Sequence, residues 1–204
     1  MPGNTYRQAR AGVSARGVSL LELIIVVSIA LILAGIMFPE FARISYNIRL
    51  RNAATNISAL MQRGRITAAR QNAIYTIYMP ASGGKACIDL NNNSACDSTE
   101  PTITFNSTIT PAAAAPTGSS GQPTAYTLVG DTGTTVYTNG TTLGFSTRGL
   151  PCSYSGGSCP TPPAGYFVYY LNDARGDGTT GWAAVVVTRT GRTKAYLWNG
   201  SAWY

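Results

Sequence analysis

Residues Val18 to Phe38 form an unbroken apolar run of 21 residues that carries one charge, Glu22. A helix rises 1.5 Å per residue, so this run spans roughly 30 Å, the thickness of the hydrocarbon layer of a bilayer. A basic segment, MPGNTYRQARAGVSARG, precedes it, and a polar chain of 166 residues follows. The pattern predicts a single membrane helix near the N-terminus with a domain attached to it. A cleaved secretory signal competes with this, but such a signal has a shorter apolar core and small residues before its cut. Here the far end reads Ile36-Met37-Phe38-Pro39-Glu40.

The lone acid narrows the choice. A carboxylate in the first turn of a membrane helix costs a few kcal/mol or more if left alone. The positive end of a helix offsets part of that cost. If the chain is cut after Gly17, Val18 gains a free ammonium group, and Glu22 can neutralise the terminus of a neighbouring identical helix. A helix built this way can leave lipid by packing into a bundle of its own kind.

A basic leader ending in Gly17, an apolar run with Glu22 five residues further on, and Pro39 within the helix together resemble the class III signal of type IV pilins and type II secretion pseudopilins. Ser19-Leu20-Leu21-Glu22 stands where that family usually has Thr-Leu-x-Glu, and Val18 replaces the usual phenylalanine. The resemblance implies that a prepilin peptidase cuts between Gly17 and Val18 and methylates the new terminus. It implies an inner-membrane protein with its head in the periplasm, later packed against other pilins or pseudopilins in a pilus or pseudopilus. Glu22 and Pro39 would set helix register and assembly. The expected divisions are a leader at 1–17, a helix at 18–71 that is transmembrane over 18–38, and a β-rich head at 72–204.

Beyond Glu40 the helical pattern becomes amphipathic. Leu50, Ala54, Ile57, Met61, Gly64 and Ala68 recur at spacings of three and four and line one face. Arg49, Asn52, Asn56, Arg63 and Arg70 supply polar neighbours, Pro39 should loosen the helix, and Asn72 is a stop signal. β-branched and aromatic runs then predict strands at Ala73–Met79, Thr102–Ile109, Tyr126–Val129, Thr135–Tyr137, Thr142–Phe145, Tyr166–Leu171, Trp182–Thr188 and Lys194–Trp198. Ala81–Glu100 and Pro151–Pro163 read as cysteine-bearing loops, and Pro111–Thr124 as a Pro/Ala/Gly/Ser-rich excursion. A helix followed by a meander of strands predicts an α+β fold with a mainly antiparallel sheet packed on the helix. Phe145-Ser146-Thr147-Arg148-Gly149, then Val185-Val186-Val187-Thr188 and Gly191-Arg192, resemble the head of the GspH/FimT group of minor pilins and pseudopilins.

Four cysteines in two close pairs, beside an export signal, read as two disulfides. Cys87–Cys96 with Cys152–Cys159 is the simplest of three possible connectivities. Net charge is +7. Loss of the leader's Arg7, Arg10 and Arg16 leaves twelve basic residues against eight acidic ones. Beyond Gln71 six basic residues face six acids, so the head is neutral and the high pI alone says nothing about nucleic acid. With no histidine in the chain, Ser-His, Cys-His and histidine-metal chemistry are excluded. The scattered acids offer no carboxylate pair, so no enzymatic role is expected.

Two clusters remain. In Asp89-Leu90-Asn91-Asn92-Asn93-Ser94-Ala95-Cys96-Asp97-Ser98-Thr99-Glu100, oxygen ligands at Asp89, Asn91, Asn93, Ala95, Asp97 and Glu100 follow the order of a calcium loop. Ser94 stands where that loop needs glycine, and a disulfide-closed polar turn is the competing expectation. The other cluster is Arg189, Arg192 and Lys194, with Arg175 as an outlying member, in a stretch free of acids from Gly178 to Tyr204 and interleaved with Tyr196, Trp198, Trp203 and Tyr204. Cations can meet phosphates and aromatic faces can stack on bases. FimT-like proteins bind DNA through a Gly-Arg-x-Arg motif, which Gly191-Arg192-Thr193-Lys194 resembles with lysine in place of the second arginine. A solvated hairpin end with aromatics turned to the core is the alternative.

Overall fold

The structure, a computed structural model, describes residues 19–116, 135–175 and 181–204, without the side chains of 38–43. Gly17, Val18 and the expected strand Tyr126–Val129 lie outside the described residues. Among the described residues one helix, α1 (Leu20–Gln71), precedes ten strands. The fold is α+β, and among the described residues all strand pairings but one are antiparallel.

The chain divides into two compact units, residues 1–41 and 42–204. In the second unit, the later part of α1 buries Leu50, Ala53, Ala54, Ile57, Leu60, Met61 and Ala68. Every residue of the expected apolar face is thus inside. Gly64 lets the helix approach closely, since a Cβ there would lie 3.0 Å from Ile77 and 3.6 Å from both Ile88 and Phe145. The helix stops at Asn72, whose φ of 52° turns the chain left-handed. The Ala73 N–H then donates to the Ala68 carbonyl at 3.2 Å, capping an otherwise unpaired acceptor.

The first sheet has the order β3 (Thr102–Thr104), β2 (Lys85–Asp89), β1 (Tyr75–Tyr78), β6 (Leu143–Phe145), β7 (Pro151–Ser153). The second runs β10 (Thr193–Leu197), β9 (Trp182–Val187), β8 (Gly165–Asp173), β4 (Ile109–Ala112). Strand β5 (Thr135–Tyr137) lies parallel to the Gly165 end of β8, while β4 pairs antiparallel with its Asp173 end. Phe167, Tyr169 and Leu171 join the main core with α1 and the first sheet. Their alternates Tyr166, Val168 and Tyr170 bury in a second cluster on the other face. Burial on both faces explains why this strand reads as a continuous apolar run.

Several expectations are corrected. Ala81–Glu100 is not all loop: Ala86, Cys87 and Ile88 are buried in β2, a run too short and too mixed to show a strand period. The expected strand Thr102–Ile109 is two strands in different sheets. Between them the Asn106 Oδ1 accepts from the Thr108 N–H at 3.0 Å and the Thr108 hydroxyl at 2.8 Å, making a side-chain turn that breaks the run. Pro111 and Ala112, expected in the excursion, pair with Leu171 and Tyr170 in β4. As an edge strand β4 tolerates the proline. The loop at Pro151–Pro163 begins with β7, and the described strands form two sheets where one was expected.

Candidate functional site

From Leu20 to Met37 α1 is long and apolar enough to cross a membrane, and none of that span is buried. Thirteen large apolar side chains of this span are exposed, Leu21, Ile25, Ile29 and Leu33 among them. Left in water, the exposed fraction would cost on the order of 10–20 kcal/mol. Lipid or neighbouring helices are surroundings that could supply that burial. The Leu23 N–H donates to the Ser19 carbonyl at 3.1 Å, and Glu22 falls in the first turn. Its carboxylate therefore stands at the positive end of the helix dipole. The helix is continuous through Pro39.

In the head, the basic hairpin is held by a polar seam. Gln62 Nε2 donates to the Gly191 carbonyl and to the Thr193 hydroxyl, both at 3.0 Å. Ser58 and Thr193 share a hydroxyl bond of 2.7 Å. Arg65 donates through Nε to the Gly149 carbonyl at 3.0 Å and through a terminal nitrogen to the Gly191 carbonyl at 3.2 Å. Both glycines have left-handed φ, 72° and 82°, and a Cβ on either would lie 3.1 Å from an Arg65 atom. The glycines of the two tail motifs thus bring two turns onto one arginine of α1.

Of the expected cations, Arg192 and Lys194 are exposed and Arg189 is half-buried. Lys194 Nζ lies 5.1 Å from the Tyr196 ring centre. Burial raises the Tyr196 phenol's pKa, while the charge of Arg192 pulls it the other way. Tyr196 and Trp198 are buried, Trp203 is half-buried, and Tyr204 is exposed. The aromatics therefore serve the fold more than the surface.

Arg175 is drawn elsewhere. It forms a forked pair with Asp173 at 3.0 and 2.8 Å and lies 5.0 Å above the Tyr46 ring. Burial alone would lift the Asp173 carboxyl. Hydrogen bonds from Arg175 and Thr108, with the Arg175 charge, outweigh it and hold the group below its ordinary range.

The two disulfides join Cys87 to Cys96 and Cys152 to Cys159, with Cα separations of 5.6 and 5.2 Å. Inside the first, the calcium-loop oxygens meet N–H donors. Asp89 accepts from the Asn93 and Ser94 amides at 3.1 and 2.7 Å. Glu100 accepts from Leu90 and Asp97 at 2.7 and 3.0 Å. Asp97 accepts from the side-chain amides of Asn91 and Asn93 at 2.9 and 3.0 Å. Asn91 accepts from the Asn93 amide at 3.1 Å, and Asn93 from the Ala95 amide at 2.9 Å. Ser94 adopts φ 59°, the turn expected of glycine. Among the described residues no group of three or more Asp, Glu, Cys or His side chains is placed to hold a metal ion. The geometry favours the hydrogen-bonded turn.

Ser58, Gln62 and Arg65 were not anticipated, nor was Arg51 beside them. A signal existed: Arg51, Ser58, Gln62 and Arg65 follow Leu50, Ile57, Met61 and Gly64 by one residue each, a polar row alongside the apolar one.

No protein-family model matches the sequence, and no curated protein matches it significantly. A solved structure that the chain resembles is the type IV minor pilin FimU of Pseudomonas aeruginosa. The identity is 15%, the TM-score is 0.43, and the match covers 78% of this chain and 94% of that one.

Proposed function

We propose that this chain is a minor pilin or pseudopilin that works by assembly and catalyses nothing. A prepilin peptidase cuts between Gly17 and Val18, the apolar helix holds the protein in the inner membrane, and the helix then moves into a filament of a type IV pilus or type II secretion system. One observation carries this: a uniformly exposed apolar span, Leu20–Met37, whose single carboxylate, Glu22, lies in the first turn of the helix. Lipid can solvate the apolar side chains but not the acid, whereas a bundle of like helices with free amino termini accommodates both. In the native host, Glu22→Ala should leave membrane insertion intact and remove the protein from sheared surface fibres. Wild-type amounts of Glu22→Ala protein in those fibres would refute the proposal.

A second reading is favoured by the exposure of Arg192 and Lys194 on a hairpin seated by Gly191. Here the head is a DNA receptor on the filament. Binding of duplex DNA by the full chain should then fall steeply with salt. It should also be lost in Arg192→Gln/Lys194→Gln. Affinity unchanged in that variant would dismiss this role.

A further inference from the structure

Strand β10 is an edge strand whose outer side is covered over only part of its length. The Trp198 N–H donates to the Trp182 carbonyl at 3.0 Å, and the Thr188 N–H donates to the Arg192 carbonyl at 2.9 Å. Even-numbered residues of β10 therefore direct their main-chain groups to β9, and Thr193, Ala195 and Leu197 direct theirs outward. Leu197 is satisfied: its N–H and carbonyl exchange bonds of 3.1 and 3.0 Å with Tyr204. Further along the same edge, no strand stands beside Ala195 and Thr193 among the described residues.

Beside that uncovered stretch, between β10 and α1, lies a hollow of about 500 Å³. Its apolar wall includes Ala54, Ala195 and Leu197, and the two alanines leave room for a side chain from outside. Its rim includes Arg51 and Lys194, both exposed, with no carboxylate in ion-pair range among the described residues. The elements that build it are acid-free, from Phe41 to Ile88 and from Gly178 to Tyr204. A phosphate polymer would meet the cations but would leave the outward Ala195 amide and the apolar wall unused. An extended polypeptide uses all three.

We propose that the β10 edge takes up an extended acidic segment of a partner protein. The segment pairs through its main chain with Ala195 and Thr193, continuing the pairing that Tyr204 makes with Leu197. It places one small apolar side chain in the hollow and sets carboxylates against Arg51 and Lys194. This is strand addition, in which main-chain bonds give affinity and alternate side chains give selectivity. It does not depend on the fate of the apolar helix.

The test uses the full chain in detergent micelles. The probes are the capped peptide acetyl-Asp-Val-Asp-Val-Asp-amide, its lysine counterpart, and the acidic peptide N-methylated at both valines. The acidic peptide should slow amide exchange at Ala195 about tenfold or more. Arg51→Gln/Lys194→Gln should weaken it about tenfold at low salt. Ala195→Pro deletes an outward N–H on an edge strand, where proline is tolerated, and should abolish binding while β8 and β9 amides stay protected. Should that variant lose its fold, the N-methylated peptide on the unaltered chain decides, and it should not bind. Equal binding by the N-methylated or the lysine peptide would overturn the proposal. So would a thymidine oligonucleotide that binds where the acidic peptide does not, or no binding by the acidic peptide at all.

Discussion

Residues 20–37 and 50–68 belong to the same helix and meet opposite fates. The first stretch is apolar all round and wholly exposed. The second gathers most of its apolar residues into one row, Leu50, Ala54, Ile57, Met61 and Ala68, and buries that row, leaving Ile66 exposed. Both stretches are helical, so the difference lies in where the partner resides. One apolar face can be satisfied by sheets of the same chain, and apolarity on all sides cannot. The first stretch finds no partner among the described residues of its own chain, and on the proposed function Glu22 is what favours like helices over lipid.

That contrast can be broken by substitution. Ile57→Ala should cost the head about 2–5 kcal/mol of unfolding free energy, because the side chain is fully buried and leaves a cavity. Ile29→Ala should change the same quantity by no more than about 0.5 kcal/mol. Tryptophan fluorescence in urea reads both, since all three tryptophans, Trp182, Trp198 and Trp203, are in the head. A loss of similar size from Ile29→Ala would erase the distinction.

Next in size, Gly191→Val should cost about 1–3 kcal/mol, from the left-handed φ and the approach to Arg65. Its urea midpoint should fall while insertion of the apolar helix is unchanged. Asp173→Asn should cost about 1–2 kcal/mol at neutral pH, because its pair with Arg175 is lost. The depressed carboxyl contributes stability that is complete above the unfolded value, about pH 4, and is lost as pH falls through the lower folded value. The wild-type midpoint should therefore drop in that acid window, and Asp173→Asn should flatten the drop. The smallest effect concerns the first cysteine loop. Exchanging millimolar calcium for chelator should move the melting temperature by less than about 2 °C. The carboxylates of Asp89 and Glu100 already accept two amide N–H bonds each.

The helix was legible in the sequence because its residues repeat with a period, and the longest strands because β-branched and aromatic residues run together. Leu50 to Ala68 mark one face at spacings of three and four, and the run in β8 is apolar throughout. Asn72 was legible as a stop because few residues tolerate a left-handed φ. What was not legible lacks a period or depends on distant partners. Lys85–Asp89 is a strand because β1 and β3 flank it. The split at Asn106 comes from a side-chain turn inside a β-branched run. In the candidate site, the exposed Arg192 and Lys194 could be read directly. The seam that seats them spans about 130 residues of sequence, from Gln62 to Gly191, and could not be. Gly149 and Gly191 were noticed as motif residues, but their shared partner, Arg65, emerges only from the packing.

The central claim is that cleavage before Val18 frees an amine that Glu22 can pair with when the helix leaves lipid for a bundle. Mass spectrometry of the protein from its native host, in membranes and in sheared surface fibres, tests it most directly. The account predicts chains in the fibres that begin at Val18 and carry a methylated amine. Chains that begin at Met1, confined to the membrane fraction, would contradict it.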